Sequence, residues 1–303
     1  MKLNADLIMI ALADGFSYAG LLFLVSLGLT LIFGVMGILN VAHGAFYAYG
    51  GYAAATAIAF LYPKTDSAIV LLLTLLLVAI IVGSTLGSIV ELTLVRFSLK
   101  YDPILKLLLT FGAFLVLEDI QKMIWGAQPY TASEVVGSLG NIELGDITYT
   151  TYQLVIVPAT AFIAYLSLVF FLRKTKLGKQ IVAITHDREM ATALGINAKH
   201  ISYVTFLIGT ILGVLGGALA SPTTSLVPGA GTDMVVLSFA VVATAGLGQI
   251  TGALIAALLI GIIRSFTIYM APEIEVAIPY IIMVLVLIIR PNGLFTVAQA
   301  RKI

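Results

Sequence analysis

The stretch LGKQIVAITHDREMATALGINAKH, residues 177–200, gathers Lys179, His186, Asp187, Arg188, Glu189, Lys199 and His200 into one segment, with Arg173, Lys174 and Lys176 just before it. Acids, bases and imidazoles this close together are the raw material of catalysis, metal binding or phosphate recognition. None of those chemistries is assembled here. The chain has three histidines, His43, His186 and His200, and no cysteine, which excludes disulfides, thiol catalysis and cysteine-based metal sites. No carboxylate stands at ligand spacing from His43, the histidine in an apolar run, and this points away from a metal site. No nucleophile is paired with a base, and no GxxxxGK[ST] phosphate loop occurs. The expectation is a chain that is not an enzyme, binds no cofactor of its own and has no nucleic-acid partner.

The remaining charges of interest interrupt apolar runs, where a charge is costly and function is the default reading. Glu118 and Lys122 are spaced i,i+4, an ordinary helical ion pair. Glu91 falls near the end of its run and is expected to snorkel toward water. Arg264 is the deepest and must face protein, another subunit or a wet cavity, with Glu118 and Asp119 as its charge-complementary candidates.

These residues are embedded in a chain that is 60% hydrophobic and 10% charged, against about 25% charged in soluble domains. Apolar runs of about 20 residues recur along it, which reads as an all-α polytopic membrane protein of about 8–10 transmembrane helices, some broken or short. Runs this solidly apolar do not alternate as strands of a β-barrel must. The candidate spans are 16–38, 41–61, 67–95, 104–125, 150–172, 201–221, 232–248, 251–270 and 276–290; 41–61 and 232–248 could each be half-helices. The whole chain, 1–303, reads as one transmembrane domain. The N-terminal stretch is read as retained, since Asp14 interrupts its apolar segment and no cleavage site follows.

Alternating spans put Arg96, Lys100, Lys106, the basic residues of 173–200, Arg290, Arg301 and Lys302 on one side, and leave Lys2, Lys64 and Lys122 on the other. That bias makes 173–200 a cytoplasmic loop, with the N-terminus outside and the C-terminus cytoplasmic. The loop 126–150 is then extracytoplasmic. It lacks Lys and Arg, carries Glu134, Glu143 and Asp146, and its Val, Ile, Thr and Tyr content with glycine turns fits a small hairpin; Glu273 and Glu275 mark the last outer turn.

Within 173–200, Asp187 is a good N-cap, Glu189 comes next in the first turn and Gly195 is placed to end the helix. Residues 187–194 are therefore predicted to form a short helix with Met190, Ala191 and Leu194 on its apolar face, preceded by Ile181 and Ile184 on a separate turn. A short helix of this kind suits a groove on a soluble partner; a solvated loop that only fixes topology is the alternative.

The segment LGKQIVAITHDREMATALGINAKHISYVTFLIGTILGVLGGALAS resembles the cytoplasmic coupling loop of bacterial ABC importer permeases. GLTLIFGVMGILNVAHGAFYAYGGYAAA is similar to the signature of the LivH-type branched-chain amino-acid permease family, and VVATAGLGQITGALIAALLIGII and IIRPNGLF match later family blocks. One departure is Arg264, where the family often carries an acidic residue. The resemblance implies an importer subunit for leucine, isoleucine and valine, with Asp187, Met190, Ala191, Ala193, Leu194 and Gly195 forming the ATPase-coupling loop. It also implies two ATP-binding subunits that bind ATP-Mg, a second homologous permease subunit and an extracytoplasmic substrate-binding protein. Relatives for urea, short-chain amides or other small solutes share the architecture. An ion-coupled secondary transporter is the reading from a different class, but it needs membrane carboxylates that the run centres lack; a channel would need a selectivity filter.

Two broken regions could line a path. In ILNVAHGAFYAYGGY, Asn40, His43, Gly44 and Tyr47 permit irregular backbone around a cavity, or else tight packing with His43 bonded to a carbonyl. In SPTTSLVPGAGTDMVV, the prolines and Gly229 and Gly231 break the helix. Thr232 is the expected N-cap of the next helix, with Asp233 in its first turn. Such an N-terminus can face a carboxylate, although Asp233 already compensates its dipole.

Overall fold

The computed structural model describes residues 5–98, 101–144 and 147–295. Lys2, Lys100, Asp146, Arg301 and Lys302, which enter the orientation argument, lie outside the described residues. Helix α1, Ala5–Met36, is a single 32-residue helix, about 48 Å long at 1.5 Å per residue. It begins well before position 16, because Asp6 sits in the first turn, where a carboxylate favours the helix dipole, and Asp14 is carried within it. Nearly all of its apolar length is enclosed by the other helices. It ends at Gly37, whose φ is +61°.

After the break come α2, His43–Leu61, and α3, Ala68–Val90, which passes through a π-helical turn, Glu91–Val95, into Arg96–Ser98. The 41–61 run is thus one helix of 19 residues. Helix α4, Pro103–Trp125, starts with proline in its first turn, where no N–H is missed. Outside it lie the short α5, Glu134–Leu139, and the expected hairpin, β1 Asn141–Leu144 and β2 Ile147–Thr150, antiparallel with Asn141 opposite Thr150. A second π-helical turn, Tyr152–Ile156, leads into α6, Val157–Lys174. Pro158 has no N–H to offer the carbonyl four residues back, so the helical ladder loosens there.

Next come α7, Lys176–His186, and α8, Arg188–Ala193. The remaining helices are α9, Ala198–Ala220; α10, Ala230–Ala245; α11, Ile250–Met270; and α12, Ile278–Ile289. The 232–248 run is indeed a short helix of 16 residues, but it starts earlier than the sequence indicates.

The core is built on α1. It packs along α11 and α9, with α10 and α6 beside it, and α9 in turn packs against α2 and α3. Gly28 of α1 rests against the Gly209 carbonyl of α9, a contact that leaves no room for a Cβ. The periphery carries the opposite pattern from a soluble protein. On α3, Leu71, Leu75 and Ala79 are buried, while Ile69, Leu73, Leu77 and Ile81 face outward at more than half exposure. A helix apolar on both faces, with one face open, belongs against lipid. Five of the described helices are long and apolar enough to cross a membrane.

The connections after α4 and after α9 are tied to one another: Tyr130 and Leu226 exchange backbone hydrogen bonds of 3.0 and 2.8 Å, and Ala132 N–H donates to the Ser221 carbonyl at 2.9 Å. At the other end, the chain after α12 returns to α10, where Leu294 and Phe295 donate to the carbonyls of Thr244 and Ala245.

Candidate functional site

The polar segment folds as two helices rather than one. Thr175 caps α7, its Oγ1 accepting from Gly178 N–H at 3.0 Å. Ile181 and Ile184, expected on an isolated turn, belong to this helix and are buried. Helix α7 packs against both α1 and α9, and Gly178 sits against the Phe171 carbonyl of α6 with no space for a side chain. Asp187 then reverses the chain and caps α8 as expected, accepting from Met190 N–H at 3.0 Å. Gly195, at φ +87°, closes it: Ile196 N–H reaches the Ala191 carbonyl and Gly195 N–H the Thr192 carbonyl, the paired bonds of a glycine-terminated helix. Asn197 caps α9 by accepting from His200 N–H at 3.1 Å.

The apolar face of α8 is divided. Met190 is 61% and Leu194 80% exposed, whereas Ala191 is buried. Ala191 therefore seats α8 on its own protein, and Met190, Leu194 and the exposed Ala193 and Asp187 face outward. This knob and the β1–β2 hairpin stand at opposite ends of α6.

The two broken regions come together. Gly44 at the start of α2 lies against the Gly231 carbonyl in α10, and Gly231 against the Gly44 carbonyl, so a Cβ at either would collide with backbone. Helix α10 begins at Ala230, and its N-cap is Gly229 at φ +96°. Thr232 is not the cap; its N–H bonds to the Gly229 carbonyl inside the first turn. Asn40, His43 and Tyr47 are buried. His43 Nε2 lies 2.9 Å from the Val25 carbonyl, the carbonyl bond expected for it. The turn before α2 is held by Thr110 of α4, whose Oγ1 accepts from Val41 N–H at 3.3 Å and shares its one proton between the carbonyls of Leu107 at 3.0 Å and Leu39 at 3.3 Å. Both amide atoms of Asn40 lack a hydrogen-bond partner among the described residues.

Two expectations about charge are corrected. Arg264 pairs with Glu275 at 3.3 Å and lies over the Tyr18 ring, 4.3 Å from its centroid; Glu118 and Asp119 instead hold Lys122, at 3.0 and 3.6 Å. Glu91 does not snorkel. It is buried in the π-helical turn with Arg96 at 3.3 Å, because the widened turn points it inward.

A cavity of about 190 Å³ opens beside Arg264 toward the N-terminal end of α1, lined among others by Asp14, Ser17, Tyr18, Gln153 and Ser265. Asp14 accepts a hydrogen bond from the Tyr269 hydroxyl. A larger cavity of about 920 Å³ lies at the C-terminal end of α1, between Phe33, His186, Phe239, Leu247, Met283 and Asn292. Residues 22–32 of α1 separate the two and are all buried, closing about 16 Å of the helix axis. Sequence reasoning missed the lining of the smaller cavity; Asp14 and Arg264, charges in apolar runs, are its signals.

The fold and its clefts define a multi-pass, all-α membrane protein with a capped knob at one end of the bundle. The chain belongs to the family described as branched-chain amino acid transport system / permease component, whose model matches residues 11–287. It is 27% identical over 286 residues to the high-affinity branched-chain amino acid transport system permease protein LivH of Escherichia coli (strain K12), covering 92% of each chain. It is 25% identical over 299 residues to the corresponding protein BraD of Pseudomonas aeruginosa, covering 96% of this chain and 97% of that one. With the probable branched-chain amino acid transport permease protein LivH of Methanocaldococcus jannaschii it shares 28% over 293 residues, 91% and 89% of the two chains. Among solved structures, a chain of PsaBC from Streptococcus pneumoniae in complex with Fab gives a TM-score of 0.48 at 15% identity, covering 92% of this chain and 91% of that one.

Proposed function

We propose that this chain is the membrane-spanning subunit of an ABC importer for branched-chain amino acids, lying in a prokaryotic inner membrane with its N-terminus outside and its C-terminus in the cytoplasm. A secreted binding protein delivers the substrate, a second permease subunit completes the path, and two ATP-binding subunits bind and hydrolyse ATP-Mg. The relatives are named for branched-chain amino acids along nearly their whole length, and the basic residues gather at the end that bears α7 and α8.

The observation that carries the reading is the knob itself. Met190 and Leu194 are large apolar side chains held exposed by two capped helices, a form suited to a groove on a soluble motor. Closure of the ATP-binding subunits would press on α8, and α7 would pass the displacement to α1 and α9. The Gly44–Gly231 contact with Asn40, His43, Tyr47, Gly229 and Thr232 is the joint at which α2 and α10 would shift against each other as the path opens.

Vesicles holding the assembled importer should accumulate labelled leucine when ATP is supplied inside with binding protein outside. Leu194→Asp should weaken attachment of the ATP-binding subunit about 30-fold or more, the loss of one strong contact residue, while the chain stays in the membrane. Co-purification of that variant with its ATPase at normal yield would overturn the coupling role.

A further inference from the structure

The cavity beside Arg264, the outer one in the proposed orientation, has a lining that tight packing does not require. It combines one acid, Asp14, one base, Arg264, several hydroxyls and amides, and the apolar walls of Leu21 and Ile268. Neither charge is fully occupied. Arg264 reaches Glu275 through Nη2 alone, which leaves further donors on its guanidinium fork. Asp14 accepts from Tyr269 on Oδ2, and among the described residues no hydrogen bond engages its Oδ1. Ser265 is 3% exposed, lines the cavity, and its Oγ has no hydrogen-bond partner among the described residues. Buried hydroxyls without partners are uncommon.

With Glu275 already on Arg264, a ligand bearing only negative charge would meet two acids, and one bearing only positive charge would leave the remaining donors of Arg264 unused. A neutral amide would repay the desolvation of neither. A solute with both an ammonium and a carboxylate satisfies both, and about 190 Å³ holds a small metabolite, below the roughly 300–1,000 Å³ of sites for drug-sized ligands.

Resting on the amino-acid importer reading, we infer that this outer cavity is a receiving site for an α-amino acid zwitterion. The carboxylate lies on Arg264 and Ser265, the ammonium on Asp14 with the Gln153 carbonyl, and the side chain against Leu21, Ile268 and the Tyr18 ring. Recognition at this point is of the charged end common to all α-amino acids, with the aliphatic wall favouring apolar side chains.

The test is saturation-transfer NMR on the importer complex purified with its ATP-binding subunits and without the binding protein. The probes are L-leucine, 4-methylpentanoate and 3-methylbutylamine. Leucine should bind, and each one-charge probe should bind about tenfold more weakly, the worth of one charge-assisted hydrogen bond. Asp14→Asn should cost leucine about tenfold while sparing 4-methylpentanoate, and Arg264→Gln should cost leucine as much while sparing 3-methylbutylamine; Asp14→Glu and Arg264→Lys should recover part of the loss. Ser265→Ala disturbs neither ion contact and should weaken leucine about threefold, which keeps the question decidable if a charge variant does not assemble. Absence of a leucine signal, or variants that bind all three probes as the parent does, would overturn the assignment. Leucine uptake in vesicles separates the two failures. Normal uptake with an indifferent cavity removes this site alone, and an importer that takes up no amino acid removes the function on which it rests.

Discussion

Gly44 and Gly231 act by what they lack. Each presents bare backbone to the other's carbonyl, which lets two helices in a membrane approach closely without interlocking side chains. Gly44→Ala should destabilise the fold by roughly 1–3 kcal/mol through overpacking, seen as a lowered midpoint of thermal unfolding in detergent. Gly112→Ala on α4, where nothing lies within 4 Å of the added Cβ, should instead be neutral or stabilising by up to about 1 kcal/mol. The sequence marks Gly44 and Gly231 as unusual but cannot pair them, because a contact between distant segments leaves no local pattern. Arg264 shows the same limit: its charge announces a partner, and several acids satisfy that description until the turn after α11 brings Glu275 across. His43 was legible further, since a buried imidazole needs a hydrogen bond and backbone carbonyls are the commonest acceptors near one.

At the scale of the element, α8 was written plainly by Asp187 at its start and Gly195 at its end. Helix α7 was not. Its buried positions Gly178, Ile181 and Ile184 recur at a spacing of three, but the lysines, glutamine and glycine among them read as loop. The short runs were ambiguous for a different reason: α10 has 16 residues and α12 only 12, below the about 20 that cross a bilayer alone. Asp187→Ala should remove about 1 kcal/mol of helix stability. The expected result is faster amide exchange in α8 with α7 unchanged, and equal protection in both proteins would show that the cap is idle.

Over the whole molecule, the class was legible because membrane composition is so far from soluble composition, whereas the two cavities were not, since each is lined by side chains from separate helices and loops. The absence of cysteine makes sidedness directly testable. Single-cysteine variants at Leu194 and at Thr148 of the hairpin should react with an impermeant maleimide from opposite faces of sealed membranes, Thr148→Cys from outside intact cells. Labelling of both from one face would break the topology. Helix α7 is seated on the two central helices of the bundle, without a slack connection between them. The knob is therefore braced at one end of the bundle, where α7 touches α1 and α9 directly, so residues at its exposed tip, Met190 and Leu194, can change without altering the contacts behind them.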